Sequence, residues 1–288
     1  MINKFFMIFR KISRRTVLIF SILLISIGIL ALFLSNYYNP FPSKKKVVVI
    51  NLNSMISYDN IDINKLISIL KDQKYDGIIF KIDSPGGDLS ILRIVEYAKN
   101  ISKPSVCYID GQATSAAYWL CSQTNYIIAR KDSIVGNIGA YAIIITYVDL
   151  LKKLGINVTI FKATPHKTIG APLEYLTDEE KSFLNYTVTY LGNQFIRDVL
   201  SKRNIKNESF ALSGYWFIAD FAKELNLIDS IGEFEDAKKV MANMLNTTVD
   251  NIEFYEINLK KERTIFDYLS FSLLKNLMLN PYEIKIIL

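Results

Sequence analysis

The sequence contains few of the residues on which metal sites and catalytic triads usually depend. Among its 288 residues are one histidine, His166, and two cysteines, Cys107 and Cys121. A zinc site with several histidines is therefore excluded, and a Ser-His-Asp triad has a single possible base. Each cysteine lies in an apolar stretch, which predicts two buried free thiols rather than a disulfide framework.

Acidic residues are absent from the first 46 positions, which hold eight of the 34 Lys and Arg residues and none of the 28 Asp and Glu residues. The remainder therefore has 26 basic against 28 acidic residues, a formal charge of −2, although the whole chain carries +6. The basic character belongs to the N-terminal segment, so we expect no nucleic-acid partner.

Charged residues are also absent from residues 16–34, which are apolar except for two serines and a threonine. This run is long enough to cross a bilayer as a helix. No small-x-small cleavage site follows it, which favours an uncleaved signal anchor over a cleavable signal peptide. Five basic residues precede the run and three follow it, so we expect the N-terminus inside and the bulk of the chain outside a cytoplasmic membrane.

From residue 47 onward, β-branched apolar runs alternate with helical periodicities. This alternation predicts βαβ units and a largely parallel sheet covered by helices. The predicted strands are 47–52, 77–82, 105–109, 126–129, 158–161 and 252–257. The predicted helices are 63–70, 89–98, 236–245 and a long helix that begins at the capping box Thr177–Glu180 and runs toward Lys202.

A Ser-Pro-Gly-Gly turn at residues 84–87 directly follows one of these predicted strands. Glycine removes the steric bar to positive φ, so the backbone N–H groups of such a turn can face outward and donate to an oxyanion. Taken alone, the turn fits a plain strand-to-helix connection better.

Ser115 lies among small residues after another predicted strand, and a helical stretch follows it. Its hydroxyl would then lie at a helix N-terminus, where partial positive charge favours an alkoxide or a tetrahedral oxyanion. The alternative interpretation is that Ser115, or Thr114 beside it, is an ordinary N-cap.

Lys167 lies in a loop between a predicted strand and the capped helix. A loop lysine is ordinarily solvated. In a hydrolase without an available histidine, however, a neutral, desolvated lysine can activate the nucleophile.

Taken in order, these segments resemble the signal peptide peptidase A (SppA) family of Ser-Lys serine proteases, which have a ClpP/crotonase-like fold. The resemblance covers roughly residues 47–245 and includes an Ala-x-Ser-x-x-Tyr segment around Ser115 and a His-Lys loop at Lys167. The other matching pieces are the turn at 84–87, Gly-Asn-Ile-Gly at 136–139, Thr-Asp-Glu-Glu at 177–180, and the segments 212–215 and 222–229.

The resemblance implies that Ser115 is the nucleophile and that Lys167, 52 residues later, is the general base. Thr164 or Thr168 could orient the lysine amine. The implied oxyanion donors are the backbone N–H groups of Gly87 and Ala116, with Gly86 as a third candidate. The implied substrate-binding residues are Ser84, Pro85, Gly86 and Gly139. No cofactor or metal is implied.

The resemblance also implies an organisation and a role. The predicted segments are a basic cytoplasmic N-terminus (1–15), a transmembrane signal anchor (16–34), a linker (35–46), a protease domain (47–250), and a C-terminal strand with an amphipathic tail (251–288). The implied substrates are remnant signal peptides and other short apolar or unfolded peptides. We further expect a homo-oligomeric ring in which neighbouring subunits can share the serine and the lysine.

One departure from the family pattern affects specificity. Ala116 and Ala117 stand where the family usually has two glycines, which predicts a narrower pocket and a preference for small P1 residues. We interpret His166 as structural or substrate-facing rather than as a second base.

The alternative functions for the chain are a stomatin-associated membrane ClpP-like protease and a catalytically inactive scaffold. An acyl-CoA enzyme of the crotonase type fits poorly with a membrane anchor.

Overall fold

The computed structural model describes residues 14–37, 43–261 and 285–287. The chain divides into an N-terminal unit that ends at Lys44 and a larger unit that begins at Lys45. The first unit contains helix α1, Arg14–Tyr37, and its segment Arg15–Leu34 is long and apolar enough to cross a membrane. Two parts of the sequence prediction lie outside the described residues. They are the amphipathic stretch 264–279 and three of the five basic residues that precede the apolar run, Lys4, Arg10 and Lys11.

The larger unit alternates strands and helices along its first half. Its elements as far as residue 153 are β1 Lys45–Leu52, α2 Ile63–Lys71, β2 Gly77–Ser84, α3 Ile91–Ala98, β3 Ser105–Thr114, α4 Ala116–Ser122, β4 Tyr126–Ala129, β5 Ile134–Gly136, β6 Tyr141–Ile143 and α5 Val148–Lys153. The later elements are α6 Asp178–Leu200, α7 Glu208–Ala211, β7 Trp216–Ile218, α8 Ala219–Glu224, β8 Ser230–Ile231, α9 Phe234–Met244, a 3₁₀ turn Val249–Asn251, β9 Ile252–Asn258 and β10 Lys285–Ile287.

Eight of these strands form one sheet in the order β7-β5-β3-β2-β1-β9, with β4 beside β3 and β8 beside β4. All of its pairings are parallel except that between β5 and β7. Strand β3 is long enough to pair with β4 along residues 106–109 and with β5 along residues 112–114. The end of β3 therefore extends beyond β4, and the nucleophile candidate follows directly from this extension. A separate antiparallel pair joins β6 to β10.

The central strands are buried on both faces, which explains their nearly continuous apolar sequences. In β1, Val48 and Ile50 belong to one hydrophobic cluster and Val47 and Val49 to another, as the alternation of side chains along a strand requires. Helix α9 covers the second cluster, with Met241 fully buried against the sheet. Helices α2, α3, α4, α6 and α8 contribute to the first cluster.

Helix α6 begins where its capping box predicts. The Thr177 side chain accepts a hydrogen bond from the Glu180 N–H at 3.2 Å, and the Glu180 carboxylate accepts one from the Thr177 N–H at 2.9 Å. The last helical residue is Leu200, close to the predicted end.

The strand predicted over residues 158–161 is wrong, because this segment has no regular secondary structure. Val158 is exposed, and the side chain of Phe161 has 94% of its surface exposed. The run is β-branched and apolar, but no strand among the described residues pairs with it. Local composition therefore indicated a strand that the sheet does not accommodate.

The prediction of two free thiols is also wrong. Cys107 on β3 and Cys121 on α4 form a disulfide, with their Cα atoms 5.3 Å apart, and both residues are fully buried. The packing of α4 on β3 brings the two sulfur atoms together, although 14 positions separate them in the sequence. The disulfide thus links the strand that precedes Ser115 to the helix that follows it.

Candidate active site

Ser115 occupies the junction between β3 and α4 in an unusual backbone conformation. Its φ is 54° and its ψ is −127°, a region that non-glycine residues rarely adopt and that costs on the order of 1–3 kcal/mol. Its N–H donates to the Gly136 carbonyl at 2.8 Å, and its carbonyl accepts from the Trp119 N–H at 3.0 Å. The side chain makes no capping hydrogen bond, although Ser115 stands at the N-cap position. The hydroxyl is therefore not used to cap the helix, and only 5% of the residue is exposed.

Helix α4 holds Ser115 through a set of buried contacts, since all seven of its residues are buried. The Trp119 ring stacks on Phe195 of α6 at 4.5 Å with an interplanar angle of 8°, and its indole N–H donates to the Asp198 carboxylate at 2.9 Å. The Tyr118 hydroxyl donates to the Leu227 carbonyl at 2.7 Å, and burial raises the pKa of this hydroxyl. Both apolar packing and side-chain hydrogen bonds therefore hold helix α4 in place.

The turn after β2 lies beside the nucleophile segment. Ser84 pairs with Ala113 in the sheet register, and the Thr114 hydroxyl donates to the Pro85 carbonyl at 2.9 Å. Gly86 has φ of 125°, a conformation that favours glycine.

Position 87 requires glycine because the backbone there packs closely against the segment around Ile56. A Cβ at Gly87 would lie 2.2 Å from the Ile56 carbonyl oxygen. Backbone hydrogen bonds from Ile56 to Gly86 at 2.8 Å and from Asp88 to Ile56 at 3.1 Å hold this contact.

The three oxyanion candidates differ in their availability. The N–H groups of Gly87 and Ala116 donate to no protein acceptor within the described residues. The Gly86 N–H instead faces the Ser84 hydroxyl at 3.3 Å. Gly87 and Ala116 therefore have the free donors that an oxyanion requires, and Gly86 is the weaker candidate.

The four predicted substrate-binding residues also differ in exposure. Ser84 is fully buried and its hydroxyl donates to the Gly86 carbonyl at 3.2 Å, so it stabilises the turn itself. Gly86 is buried as well, whereas Pro85 is exposed. Gly139 is partly exposed, and a Cβ there would meet no other heavy atom within 4 Å. Pro85 and Gly139 are thus the two that a substrate could reach in this protomer.

Lys167 lies in the loop that precedes α6 and is exposed. Its side-chain amine has no hydrogen bond or ion pair within the described part of the chain, and so none to the Ser115 hydroxyl. The Thr168 hydroxyl donates to Glu174 at 2.6 Å and accepts from the Lys162 amine at 3.1 Å, so in this structure its hydrogen bonds go to groups other than the Lys167 amine. Thr164 contributes only its carbonyl, which accepts from the Lys167 N–H at 3.3 Å.

The residues on both sides of Lys167 are anchored to carboxylates. His166 Nδ1 lies 3.2 Å from Glu180 Oε1, while Glu180 also caps α6. On the other side, Glu174 Oε2 accepts from Thr168 and, at 2.7 Å, from Lys162. Hydrogen bonds from Lys162 and Thr168 lower the pKa of the Glu174 carboxyl.

Sequence reasoning did not find these anchors. The capping box correctly marked Glu180, but nothing in its local pattern indicates the contact with His166. Lys162 and Glu174 are 12 residues apart in irregular structure, and this spacing does not indicate a contact in any regular pattern of sequence. Asp198 could have been suspected only from the need of a buried tryptophan N–H for an acceptor.

Within the described residues, no group of three or more His, Cys, Asp or Glu side chains could hold a metal ion.

Comparison with known proteins identifies the family of the chain. The family model described as Peptidase family S49 matches residues 97–248, more than half of the chain. This match includes the nucleophile segment, the Lys167 loop and helix α6. The chain belongs to peptidase family S49. The predicted resemblance to the SppA family and the predicted ClpP/crotonase-like α/β fold are thereby confirmed, and the protein is a serine peptidase.

Individual relatives agree with this assignment. A putative protease of Methanocaldococcus jannaschii is 35% identical over 211 residues, which cover 71% of this chain and 67% of the relative. A putative signal peptide peptidase SppA of Enterococcus faecium is 26% identical over 216 residues, covering 68% of this chain and 62% of the relative. The S49 chain thus spans about two thirds of the length of these relatives.

A solved structure is also similar to this S49 peptidase. It is the 1510-N membrane-bound stomatin-specific protease, a mutant in complex with a substrate peptide. The two share 17% identity with a TM-score of 0.48, and the match covers 81% of this chain and all of the other.

Proposed function

We propose that this S49 peptidase is a membrane-anchored endopeptidase that uses a Ser-Lys dyad, with Ser115 as the nucleophile and Lys167 as the general base. The observation that carries the proposal is the state of the Ser115 hydroxyl. It lies at a strained strand-to-helix junction, does not cap the helix, and belongs to a segment joined to the Ser-Pro-Gly-Gly turn. A serine that only capped α4 would have neither need for this strain nor a free hydroxyl.

The proposed reaction follows from the groups available. The neutral Lys167 amine accepts the Ser115 proton while Ser115 Oγ forms a bond to the carbonyl carbon of the substrate. The Gly87 and Ala116 N–H groups donate to the resulting oxyanion. The C–N bond then breaks as the lysine ammonium returns the proton to the leaving amine. Water, deprotonated by the same amine, then attacks the acyl carbon. The bond between that carbon and Ser115 Oγ breaks as the lysine ammonium returns its proton to Ser115 Oγ, and the second product leaves.

The exposure of Lys167 supports a dyad shared between subunits. Within the described residues the amine makes no hydrogen bond to Ser115 and no ion pair with an acid, and it lies on an exposed loop. A neighbouring copy could therefore receive this lysine beside its own Ser115. This arrangement agrees with the homo-oligomeric ring that the family resemblance implies.

The proposed substrates are remnant signal peptides and other short apolar or unfolded peptides. An extended peptide can add as a strand beside the turn at residues 84–87, and such addition requires a chain without tertiary structure. Helix α1 would span the cytoplasmic membrane, with the N-terminus on the cytoplasmic side and the peptidase on the outer side. The peptidase would then lie close to signal peptides left in the bilayer.

The test uses the full chain in detergent with a synthetic signal peptide and, in parallel, a peptide from a stomatin sequence. We expect Ser115→Ala and Lys167→Ala each to lower kcat/KM by about 10⁴-fold or more. The exposed Lys153→Ala serves as the control and should retain full activity. A serine-reactive phosphonate should label Ser115 in the parent but not in Lys167→Ala. Full activity of either dyad variant would overturn the proposal, and preference for the stomatin peptide would favour the alternative substrate.

Subunit sharing is tested by mixing. Ser115→Ala and Lys167→Ala protomers are combined, dissociated and reassembled. If the dyad is shared between copies, some interfaces regain an intact pair and activity returns to a fraction of the parent value. If each protomer holds its own dyad, the mixture stays inactive.

A further inference from the structure

The proposed nucleophile and one of its proposed oxyanion donors lie on different strands. Ser115 directly follows β3, whereas the Gly87 N–H belongs to the turn that follows β2. An oxyanion hole works only when its donors lie about 2.7–3.1 Å from the oxygen that becomes charged. The relative position of the two strand ends therefore decides whether Gly87 can assist an attack by Ser115.

The backbone pairing of β2 with β3 becomes irregular before it reaches these ends. The register is regular as far as Ile82, which pairs with Ile109, but the next pair joins Ser84 to Ala113. Two steps along β2, from 82 to 84, thus correspond to four along β3, from 109 to 113. Because β2 ends at Ser84, its pairing with β3 does not extend to Gly87.

Side chains join the two strands where the pairing is irregular. The Gln112 N–H donates to Asp83 Oδ1 at 3.2 Å. Thr114, the last residue of β3, donates through its hydroxyl to the Pro85 carbonyl at 2.9 Å. Only 8% of Thr114 is exposed, so water competes little for this hydrogen bond. The Thr114 hydroxyl thus joins the residue before Ser115 to the turn that carries the oxyanion donor.

The turn is held from two sides. On one side, the Ile56 N–H donates to the Gly86 carbonyl at 2.8 Å, and the Ile56 carbonyl accepts from the Asp88 N–H at 3.1 Å. On the side of the nucleophile, Thr114 provides the hydrogen bond to the turn. Loss of the Thr114 hydroxyl would leave the contacts with Ile56 in place. The turn would then persist, but its position relative to Ser115 would be less firmly fixed.

We propose that Thr114 is a positioning residue for the peptidase reaction, whose hydroxyl fixes the Gly87 N–H relative to the Ser115 hydroxyl. It acts through the Pro85 carbonyl and takes no direct part in bond making or breaking. The inference rests on the proposed roles of Ser115 as nucleophile and Gly87 as oxyanion donor. It also assigns a function to a hydroxyl that the sequence offered as a candidate N-cap, a position that Ser115 occupies in the structure.

The test measures steady-state cleavage of the synthetic signal peptide by the full chain in detergent. Thr114→Val removes the hydroxyl and keeps a branched side chain of similar size. We expect kcat to fall about three- to tenfold, the effect of losing one buried hydrogen bond. KM should stay within about twofold of the parental value, because an oxyanion donor acts mainly in the transition state. Thr114→Ser keeps the hydroxyl and should keep kcat within about twofold of the parent.

Thr124→Val is the matched control. Thr124 is 6% exposed, and its hydroxyl donates to the Cys121 carbonyl at 2.8 Å, just beyond the end of α4 that is remote from Ser115. This variant therefore removes the same group from a similarly buried site. It should lower the melting temperature about as much as Thr114→Val does and leave kcat at the parental value.

A double variant tests whether Thr114 acts through the turn. Gly87→Ala displaces the turn by itself, because its Cβ would lie 2.2 Å from the Ile56 carbonyl oxygen. If Thr114 acts by holding that turn, adding Thr114→Val to Gly87→Ala should lower kcat by less than about a further twofold. Independent structural effects would instead multiply and lower kcat by about a further three- to tenfold.

Three results would overturn the inference. They are a parental kcat in a folded Thr114→Val enzyme, equal losses in Thr114→Val and Thr114→Ser, and multiplying effects in the double variant. Thermal melting and the oligomeric state establish folding, and Thr114→Ala, which also lacks the hydroxyl, should repeat the loss of kcat if the valine variant does not fold. If Ser115→Ala keeps full activity, the proposed nucleophile itself fails. If Ser115 is essential and Thr114→Val has parental kcat, only the role of Thr114 fails.

Discussion

The two halves of the proposed dyad lie in contrasting parts of the molecule. Ser115 is buried between a central strand and a helix whose seven residues are all buried. Lys167 lies on an exposed loop without regular secondary structure, held by side-chain contacts of His166 and Thr168. The hydrophobic core thus fixes the position of Ser115, whereas a few polar side chains near the surface fix the position of the Lys167 loop.

This contrast suggests how the two regions respond to change. A substitution near Ser115 disturbs close packing and backbone geometry, so it should affect stability and catalysis together. A substitution around Lys167 should leave the core intact and alter mainly the reaction. The variants below test this separation, from the largest expected effect to the smallest.

Gly87→Ala should have the largest effect, because the new Cβ would lie 2.2 Å from the Ile56 carbonyl oxygen and must displace the turn. Loss of one oxyanion donor typically costs about 10²–10³-fold in kcat. We expect a fall of that size, measured with the synthetic signal peptide. Gly192→Ala on α6 is the control, since its Cβ would make only an ordinary contact at 3.7 Å. Equal activities of the two variants would contradict this role for the turn.

Removing the disulfide should destabilise the nucleophile region. The double variant Cys107→Ala with Cys121→Ala frees a loop of 14 residues, which should lower the free energy of unfolding by about 3 kcal/mol. Chemical denaturation of the parent and the variant measures the difference. Reductant should shift the parent in the same direction and leave the variant unchanged. Identical parental midpoints with and without reductant would argue against the disulfide in solution.

The P1 preference tests the alanines that replace the usual glycines. Ala116 and Ala117 are fully buried in α4, the helix that directly follows Ser115. We expect peptides with alanine at P1 to be cleaved about 10-fold or more faster than those with phenylalanine, a difference typical of pocket-size selection. Efficient cleavage after large aromatic residues would show that the alanines do not restrict the pocket.

His166→Ala should have the smallest effect. It removes the 3.2 Å contact with Glu180 next to Lys167 and leaves the core untouched. We expect kcat/KM to fall about three- to tenfold, in line with one hydrogen bond of about 1 kcal/mol, with little change in melting temperature. If His166→Ala abolished activity while Lys167→Ala retained it, histidine rather than lysine would be the base.

Much of the fold could be predicted from local patterns. The buried strands β1, β2 and β4 and the helices α2, α3, α6 and α9 all follow runs whose periodicity matches their burial. The strand predicted at 158–161 was wrong because an apolar run becomes a strand only where the sheet offers a partner. The thiols were misjudged for a similar reason, since the pairing of Cys107 with Cys121 depends on how α4 packs on β3.

The sequence by itself determined the apolar N-terminal helix, the α/β alternation and the candidate dyad, because hydrophobic period, capping residues and ordered motifs are local properties of the chain. Only the tertiary structure decided that the Ser115 hydroxyl is free of the helix cap, that Gly87 and Ala116 have free N–H groups, and that Lys162 occupies Glu174. These features join residues from different elements, and a hydrogen bond between such residues depends on how the elements pack.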